Sequence, residues 1–257
     1  MHQIRPINDM KNTINQERIQ NEIEHGKHLK ELMKHGKAQI WEFQTPAGRH
    51  RWERRVNLLT SHLKPGMQVL EIGCGTGTFT KEIAKHKVNL IAIDISPELL
   101  DDARINVPSN NVQFQIENAY ELSFADNSFD SIIASSVLHH LEIENAIKEF
   151  YRVLKPGGTA IFSEPNMMNP QIAIQKNVPF IKRWLEDSPD ETAFLRWSIV
   201  KVFKNNGFKN VSALPYDFMH PFIPKFIIKI FKPIIDKLDQ IPVVKEIAGS
   251  LLIRAEK

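Results

Sequence analysis

A short apolar strand that runs directly into a glycine loop constrains the fold of this chain more than any other feature. The segment 69–72 is apolar apart from one acid, and glycines follow at positions 73, 75 and 77. Glycine has no Cβ, so three of them at alternate positions let the backbone turn sharply and approach a ligand closely. The residues from Thr78 onward have the pattern of a helix that begins behind the turn. The segment therefore predicts a strand, a loop and a helix that together bind a cofactor.

The spacing of the glycines and one acid indicate which cofactor this loop suits. A dinucleotide site has the pattern G-x-G-x-x-G, whereas this loop is G-x-G-x-G and Glu71 stands two residues before the first glycine. A carboxylate there would repel the phosphates of a dinucleotide, but it suits a ligand that carries an ammonium and a sulfonium. The next apolar strand ends in Asp94, a residue that can accept two hydrogen bonds from a ribose diol. These features predict S-adenosylmethionine as the cofactor.

Six short motifs stand in a fixed order along the chain. They are E-I-G-C-G-T-G at 71–77, I-D-I-S at 93–96, N-A at 118–119, L-S-F-A-D-N-S-F-D at 122–130, V-L-H-H-L at 137–141 and L-K-P-G-G at 154–158. As a set they resemble the class I S-adenosylmethionine-dependent methyltransferases, specifically the branch that acts on small molecules. The resemblance covers residues 55–165 and, more weakly, the rest of the chain. It is specific for fold and cofactor and says little about the methyl acceptor.

The resemblance implies roles for residues at the ends of the strands. The residues that it implies for cofactor binding are Glu71, Gly73, Cys74, Gly75, Asp94, Ile95, Asn118, Ala119 and Ser135. Those at 71–75 would line the methionine end, with the Ser135 backbone under the amino group. Asp94 would bind the ribose, and Asn118 with the Ala119 amide would bind the adenine edge. The family usually has aspartate at position 118, but an asparagine oxygen can still accept from the adenine amino group.

Candidate catalytic residues follow from the chemistry of methyl transfer. Alignment of acceptor, methyl and sulfur supplies much of the rate, but a hydroxyl or activated-carbon acceptor must also lose a proton. A histidine is well matched to that task near neutral pH. His139 and His140 stand just past the fourth predicted strand, and Glu164 ends the fifth. We take His140, His139 and Glu164 as the candidates, with His220 as a further one; alternatively, the histidine pair only shapes the pocket.

Strands and helices alternate along the chain. The predicted strands are near 67–72, 89–94, 112–117, 130–135, 158–164, 209–216 and 248–255, and the helices near 77–86, 97–105, 143–153 and 197–206. Such alternation predicts an α/β fold with a doubly wound, mostly parallel sheet, and the resemblance implies seven strands of which the last is antiparallel. Residues 1–62 are predicted to form an N-terminal helical cap, broken at Gly26, on a methyltransferase core of 63–257.

Two insertions in the core, 165–196 and 218–247, are predicted to act as lids over an apolar acceptor pocket beside the N-terminal helices. In the second, 222–238 has the pattern of a basic amphipathic helix. It either packs on the domain or on a second copy, or it contacts a membrane or a lipid acceptor. The basic residues at 49–55 have two similar interpretations, a solvated helix face or a site for an anionic group of the acceptor.

Composition limits the remaining classes of function. The 257 residues contain one cysteine, which excludes internal disulfides, a cysteine zinc site and a three-cysteine iron–sulfur cluster. No Asp, Glu and His residues have metal-ligand spacing, so we predict no metal site. The net charge of +3 does not indicate nucleic-acid binding. With no signal sequence and no apolar run of about 18 residues, the expected location is the cytoplasm.

The sequence thus predicts an enzyme that uses S-adenosylmethionine to methylate oxygen or carbon of a small, hydrophobic or lipid-linked acceptor. A polar glycan or an anionic small molecule is an alternative acceptor. A non-catalytic protein that binds the cofactor is a second alternative. An oxidoreductase with the same sheet is a third, and the loop spacing and Glu71 argue against it. The sequence does not predict the oligomeric state.

Overall fold

The computed structural model describes residues 7–34, 45–185, 188, 191–219, 228, 237–238 and 241–257. Seven strands within these ranges form one sheet in the order β3-β2-β1-β4-β5-β7-β6. They are β1 Gln68–Ile72, β2 Asn89–Asp94, β3 Val112–Ile116, β4 Phe129–Ser135, β5 Leu154–Pro165, β6 Lys209–Tyr216 and β7 Ser250–Glu256. Strands β1 to β5 pair in parallel, and β7 is antiparallel to both of its neighbours. The predicted fold class is confirmed.

Eight α-helices and two 3₁₀ turns connect the strands among the described residues. The helices are α1 Ile7–Lys34, α2 Pro46–Thr60, α3 Thr80–Ala84, α4 Pro97–Asn106, α5 Ile143–Val153, α6 Pro170–Asn177, α7 Pro179–Trp184 and α8 Arg196–Asn205; the 3₁₀ turns are Leu138–His140 and Val244–Ile247. Thr45 caps α2, since its Oγ1 accepts from the Gly48 N–H at 3.0 Å and Pro46 takes the first helical position.

Two layers of apolar side chains flank the sheet, because successive strand residues point to opposite faces. On β4, Ile132 packs into the layer that holds Phe150 and Phe203 of α5 and α8. Its neighbour Ile133 packs into the opposite layer, which holds Leu59 of α2. This double burial fixes the strand register and brings the carboxyl ends of the parallel strands to one edge of the sheet.

Two predicted boundaries differ from the structure. The fifth strand begins at Leu154, not near 158, because a register shift between Phe129 and Ser131 allows Leu154 to pair with Phe129. The helix behind the glycine loop covers only Thr80–Ala84, since residues 75–79 form turns that complete the loop.

The N-terminal helix α1 is continuous through Gly26, where the sequence predicted a break. Gly26 is buried, and a Cβ there would lie 2.8 Å from the Ser96 hydroxyl, so the missing side chain lets α1 lie directly against the start of α4. Lys30 secures this contact, since its Nζ donates to the Glu98 carbonyl at 2.8 Å and lies 3.0 Å from Asp102. The helix therefore lies beside the carboxyl end of β2.

The basic segment of α2 is not the solvated face favoured by its pattern. Arg51 pairs with the buried Asp217 at 2.7 Å, and Arg54 lies over the Tyr216 ring at 5.5 Å. Arg55 is itself only 7% exposed, and its guanidinium donates to the Ser136 hydroxyl at 3.4 Å. These cations hold α2 against the sheet.

Most of the predicted helix at 222–238 lies outside the described residues, as does His220. Its described apolar residues are Ile228 and Leu238, and Ile228 is half-buried against Ala47 and Met219. Among the described helices, none combines the length and hydropathy needed to cross a bilayer.

Candidate active site

The ends of β1 and β2 hold the glycine loop between them. The strands pair in register, with Glu71 opposite Ala92 and Ile72 opposite Ile93. Immediately after β1, the Cys74 N–H donates to the Ile93 carbonyl at 2.9 Å. The Gly75 N–H then donates to the Asp94 carboxylate at 2.8 Å. The acid that ends β2 thus fixes the loop that follows β1.

Asp94 has capacity for further hydrogen bonds. Its second oxygen accepts from the Ser96 N–H at 2.9 Å, so each carboxylate oxygen accepts one of these two backbone bonds and has a further acceptor site. Burial raises the pKa of Asp94, and the N–H groups of Ser96, Gly75 and Ile95 oppose that shift. The structure therefore places Asp94 and the Ile95 backbone together at the carboxyl edge of the sheet.

Glu71 is a buried acid with an unused oxygen. The residue is 1% exposed, and its Oε2 has no hydrogen-bond partner among the described residues. Burial raises the pKa of Glu71 to about 8; the Thr80 hydroxyl opposes this shift and the Asp94 charge adds to it. A cation that arrived beside Glu71 would favour its ionised form.

Open space lies beside Gly75, between these two acids in sequence. Gly75 has φ +53°, and no atom lies within 4 Å of the position that a Cβ would occupy. These features fit S-adenosylmethionine. Glu71 has an oxygen available for a cationic group, Asp94 can accept hydrogen bonds from a diol, and the space beside Gly75 leaves room for the ligand. Cys74 is buried in the same loop, and burial raises the pKa of its thiol, so the thiol is the protonated form.

The other residues implied for cofactor binding lie at the ends of neighbouring strands. Gly73 follows β1 and lies against Val137, which follows β4. Asn118 follows β3, and its Oδ1 accepts from the Tyr120 N–H at 3.0 Å. The adjoining Ala119 packs against the core, and Ser135 is the last residue of β4. All of them lie at the edge formed by β3, β2, β1 and β4, and their roles stay predictions.

Glu164, at the end of β5, fixes the turn that follows β4. Its Oε1 accepts from the N–H groups of Val137 at 3.0 Å and Leu138 at 2.9 Å. Its Oε2 accepts from the backbone N–H of His139 at 3.4 Å and lies 2.6 Å from the Nδ1 of the same residue. Both oxygens of this buried acid are therefore engaged, which argues against its predicted part in proton transfer.

His139 lies between two carboxylates. Its Nδ1 faces Glu164, and its Nε2 is 3.4 Å from Glu191, which also pairs with Lys176. Burial lowers the pKa of His139, but the two carboxylates raise it further, to about 9. His139 is thus an imidazolium near neutral pH. Because a general base must be able to take up a proton, this geometry argues against the predicted base role of His139.

His139, His140 and Glu191 bring three potential metal-ligand atoms within 4.8 Å of one another. The sequence does not indicate this group, because Glu191 comes some fifty residues after the histidines. However, Lys176 and the protonated His139 already balance Glu164 and Glu191. A metal ion would have to displace these positive charges.

His140 contacts the N-terminal helix. Its Nδ1 lies 3.1 Å from Oε2 of Glu22, whose Oε1 accepts from the Ser188 hydroxyl at 3.0 Å. Burial raises the pKa of Glu22, but its bonds with His140 and Ser188 outweigh that effect and hold the pKa below its usual value. The His140 ring lies 4.3 Å from the His139 ring and 6.1 Å from that of His25. We call Glu22, His139, His140, Glu164 and Glu191 the rim cluster.

The sequence analysis missed Glu22, Ser188 and Glu191. Only Glu22 could be recognised from the sequence, because it is an acid on the same helix face as the apolar residues Ile19 and Ile23. An acid on the apolar stripe of a helix is a candidate for a buried polar contact.

Comparison with known proteins agrees with the family that the sequence resembles. Residues 70–162 match the family model described as a methyltransferase domain. An uncharacterised methyltransferase-like protein of Schizosaccharomyces pombe is 32% identical over 151 residues, which are 58% of this chain and 57% of that protein. The demethylmenaquinone methyltransferase of Chlorobaculum tepidum is 30% identical over 176 residues, 59% of this chain and 69% of that protein. The chain spans only 50 to 61% of the first relatives that it matches.

The fold also matches solved structures. The N-methyltransferase NodS from Bradyrhizobium japonicum, solved with S-adenosylhomocysteine, superposes with a TM-score of 0.60 at 19% identity. The superposition covers 91% of this chain and 98% of NodS. At this level of identity the likeness concerns the fold alone.

Proposed function

Since the chain belongs to the class I S-adenosylmethionine-dependent methyltransferases, we propose that it transfers a methyl group to oxygen or carbon of a small hydrophobic acceptor. The observation that carries this proposal is that two different regions lie at the same edge of the sheet. The first is a loop in which the buried Glu71 has one oxygen without a partner among the described residues and open space lies beside Gly75. The second is a histidine, His140, that a carboxylate holds at the rim.

In this proposal, Glu71 faces the cationic methionine end and Asp94 binds the ribose diol. Asn118 and the Ala119 amide bind the adenine edge, and the Ser135 backbone lies under the amino group. The bound cofactor supplies a methyl group that is electrophilic because its sulfur is a sulfonium. The protein aligns the acceptor with that methyl group and excludes water, which accounts for much of the rate.

His140 takes the acceptor proton in this proposal. Of the two histidines, only His139 has carboxylates within 4.0 Å of both ring nitrogens, whereas His140 has one carboxylate partner among the described residues. Its side chain is 20% exposed, whereas that of His139 is 6% exposed. An acceptor hydroxyl can therefore reach His140 more readily. Glu164 and His139 then serve to shape the turn that carries it.

Two observations support a hydrophobic acceptor. The first insertion, 165–196, exposes apolar side chains at Met168, Ile174, Phe180 and Trp184, to between 36 and 74%. Exposed apolar groups of this kind favour contact with an apolar ligand. In addition, a relative is named as a demethylmenaquinone methyltransferase. We propose an aromatic diol as the acceptor class, since loss of a hydroxyl proton makes the neighbouring ring carbon nucleophilic.

A methylation assay tests this function. The protein is incubated with S-adenosylmethionine and a 2-prenyl-1,4-naphthoquinone that has been reduced with dithionite, and products are identified by mass spectrometry. We expect one added methyl group, and its loss in both Asp94→Ala and His140→Gln. The oxidised quinone is the control, because it has no hydroxyl proton to remove. Cofactor binding without methylation of any aromatic diol would contradict the proposal and favour a non-catalytic protein.

A further inference from the structure

The N-terminal helix α1 reaches the active site through one carboxylate. Glu22 lies 118 positions from His140 in sequence, yet its oxygens are 3.1 and 3.3 Å from the His140 Nδ1. Among the described residues, no other carboxylate lies within 4.0 Å of a His140 ring nitrogen. The orientation of that ring therefore depends on a helix outside the alternating core.

The contact determines which ring nitrogen carries the proton. A carboxylate can only accept hydrogen bonds, so the His140 Nδ1 must be the donor in its bond with Glu22. When the imidazole is neutral, its single N–H is then on Nδ1, and Nε2 has a free lone pair. Nε2 is the atom that can accept a proton from a methyl acceptor.

Glu22 is itself held in place for this task. Its Oε1 accepts from the Ser188 hydroxyl, and Ser188 is 3% exposed. The helix around it is anchored by Gly26 against Ser96 and by Lys30 against α4. A buried, doubly bonded carboxylate on an anchored helix loses little entropy when it orients a ring.

The other neighbours of His140 cannot take this role. His139 is an imidazolium whose two nitrogens face Glu164 and Glu191. Burial lowers the pKa of His25, so that ring is neutral and contacts His140 only at a centroid distance of 6.1 Å. Glu191 is engaged by His139 and Lys176.

We propose that Glu22 is a positioning residue that holds His140 with its proton on Nδ1, so that Nε2 is the base and the active site is complete only when α1 is docked. This inference rests on the proposed role of His140. It adds a residue from the N-terminal cap to the catalytic apparatus of the core.

Nitrogen-15 NMR of the histidine rings tests the proton position directly, without an acceptor. The full chain is labelled at histidine nitrogens, S-adenosylhomocysteine is added, and His140→Gln identifies the signals. In the wild type we expect a protonated Nδ1 and a bare Nε2 for neutral His140. Glu22→Leu removes the hydrogen-bond acceptor that faces Nδ1, so we expect the neutral ring to lose its preference for the Nδ1 proton. A wild-type proton on Nε2, or an unchanged position in Glu22→Leu, overturns the proposal.

Kinetics with the reduced naphthoquinone provide the second measurement. We expect Glu22→Leu to lower kcat by on the order of 10²-fold, the usual contribution of a general base, with the cofactor Kd changed by less than about threefold. Combining it with His140→Gln should cost nothing beyond His140→Gln alone, because Glu22 acts through that ring. Additive losses would contradict the proposal.

Glu24→Leu is the matched control. It makes the same chemical change two residues along α1, at an exposed acid that accepts a hydrogen bond only from Gln20 among its described contacts. Both the NMR signals of His140 and kcat should stay as in the wild type. If the proton position follows Glu22 but no aromatic diol is methylated, the proposed acceptor fails and the positioning role stands.

Discussion

The glycine loop and the rim cluster lie at the same sheet edge, but their charges are satisfied in different ways. In the loop, Glu71 has a buried oxygen without a partner, and Asp94 has acceptor sites to spare. In the rim cluster, the Glu164 oxygens accept from three backbone N–H groups and face His139, which also faces Glu191. A buried acid without a partner costs free energy that a ligand can recover, whereas a compensated one already stabilises the protein. The loop therefore suits a charged ligand that binds from solution, whereas the charges of the rim cluster compensate one another in the free protein.

The largest expected effect is on stability and concerns the rim cluster. Glu164→Gln leaves the His139 cation without its closest counter-charge in the interior. We expect the free energy of unfolding to fall by about 3–5 kcal/mol, as when a buried pair loses one member. Urea unfolding measures it. Glu82→Gln is the control, because it breaks only the partly exposed pair with Lys85. A loss no larger than that of the control would show that the cluster is not a buried ion pair.

The ion pair between His139 and Glu164 should also make the free energy of unfolding depend on pH. The pKa of His139 is raised to about 9, above the ordinary value of 6.5. Its contribution to stability is therefore complete below pH 6.5 and is lost as the pH rises through 9. That loss should be smaller in Glu164→Gln, where Glu191 alone still raises the pKa of His139.

The next largest effect should be on binding and concerns the loop. In Asp94→Ala, the two hydrogen bonds to a ribose diol are lost. Calorimetry with S-adenosylhomocysteine should show weakening by about 1.5–3 kcal/mol, the range for charge-assisted bonds. Asp101→Ala, on the exposed face of α4, should bind as the wild type does. Equal affinity in Asp94→Ala would remove the ribose assignment.

A smaller expected effect is the pH dependence that Glu71 gives to cofactor binding. With a pKa of about 8, Glu71 must lose its proton before it can pair with a cation. The ratio of the Glu71→Gln Kd to the wild-type Kd for S-adenosylmethionine should therefore rise about tenfold from pH 6 to pH 7. The stability of the free protein changes in the opposite direction with pH. The contribution of protonated Glu71 is complete below pH 4.5 and is lost as the pH rises through 8. A ratio that does not change with pH would mean that Glu71 does not face the cation.

The smallest effect concerns the backbone of the loop. Gly75→Ala places a Cβ at φ +53°, in the left-handed region, but in open space. We expect a stability loss of about 1 kcal/mol from strain alone. Thermal unfolding with and without S-adenosylhomocysteine measures it; the protein should fold, and the ligand should no longer raise its Tm because the methyl group occupies the cradle. An unchanged rise in Tm would place the cofactor elsewhere.

The two regions also differ in how much of them the sequence predicts. Strand β2 was predicted at its observed bounds and β1 within one residue, because their apolar runs end at the loop and at Asp94. Neighbouring parallel strands bring those ends together, so the proximity of the loop and Asp94 follows from local pattern. Even so, the sequence could not show that Glu71 lacks a partner, since that depends on everything packed around it.

The rim cluster could not be predicted in this way. His139 and His140 were recognised as candidates, but their partners come from α1, from the end of β5 and from the segment near 191. The sequence marks Glu22 as a candidate for a buried polar contact, but only tertiary packing makes His140 its partner. Packing also gives the two adjacent histidines different surroundings, since one ring faces Glu164 and Glu191 and the other faces Glu22.

Two of the contacts that helix α1 makes are one helical turn apart. Gly26 lies on Ser96, whose N–H is bonded to Asp94, while Glu22 lies on His140. A stiff helix that lifts from the first point must also lift from the second. If a cofactor that enters past the end of β2 displaces the helix from Ser96, His140 loses its contact with Glu22 until the helix returns. Turnover should then follow a compulsory order with cofactor first, and the demethylated product should compete with the cofactor and not with the acceptor.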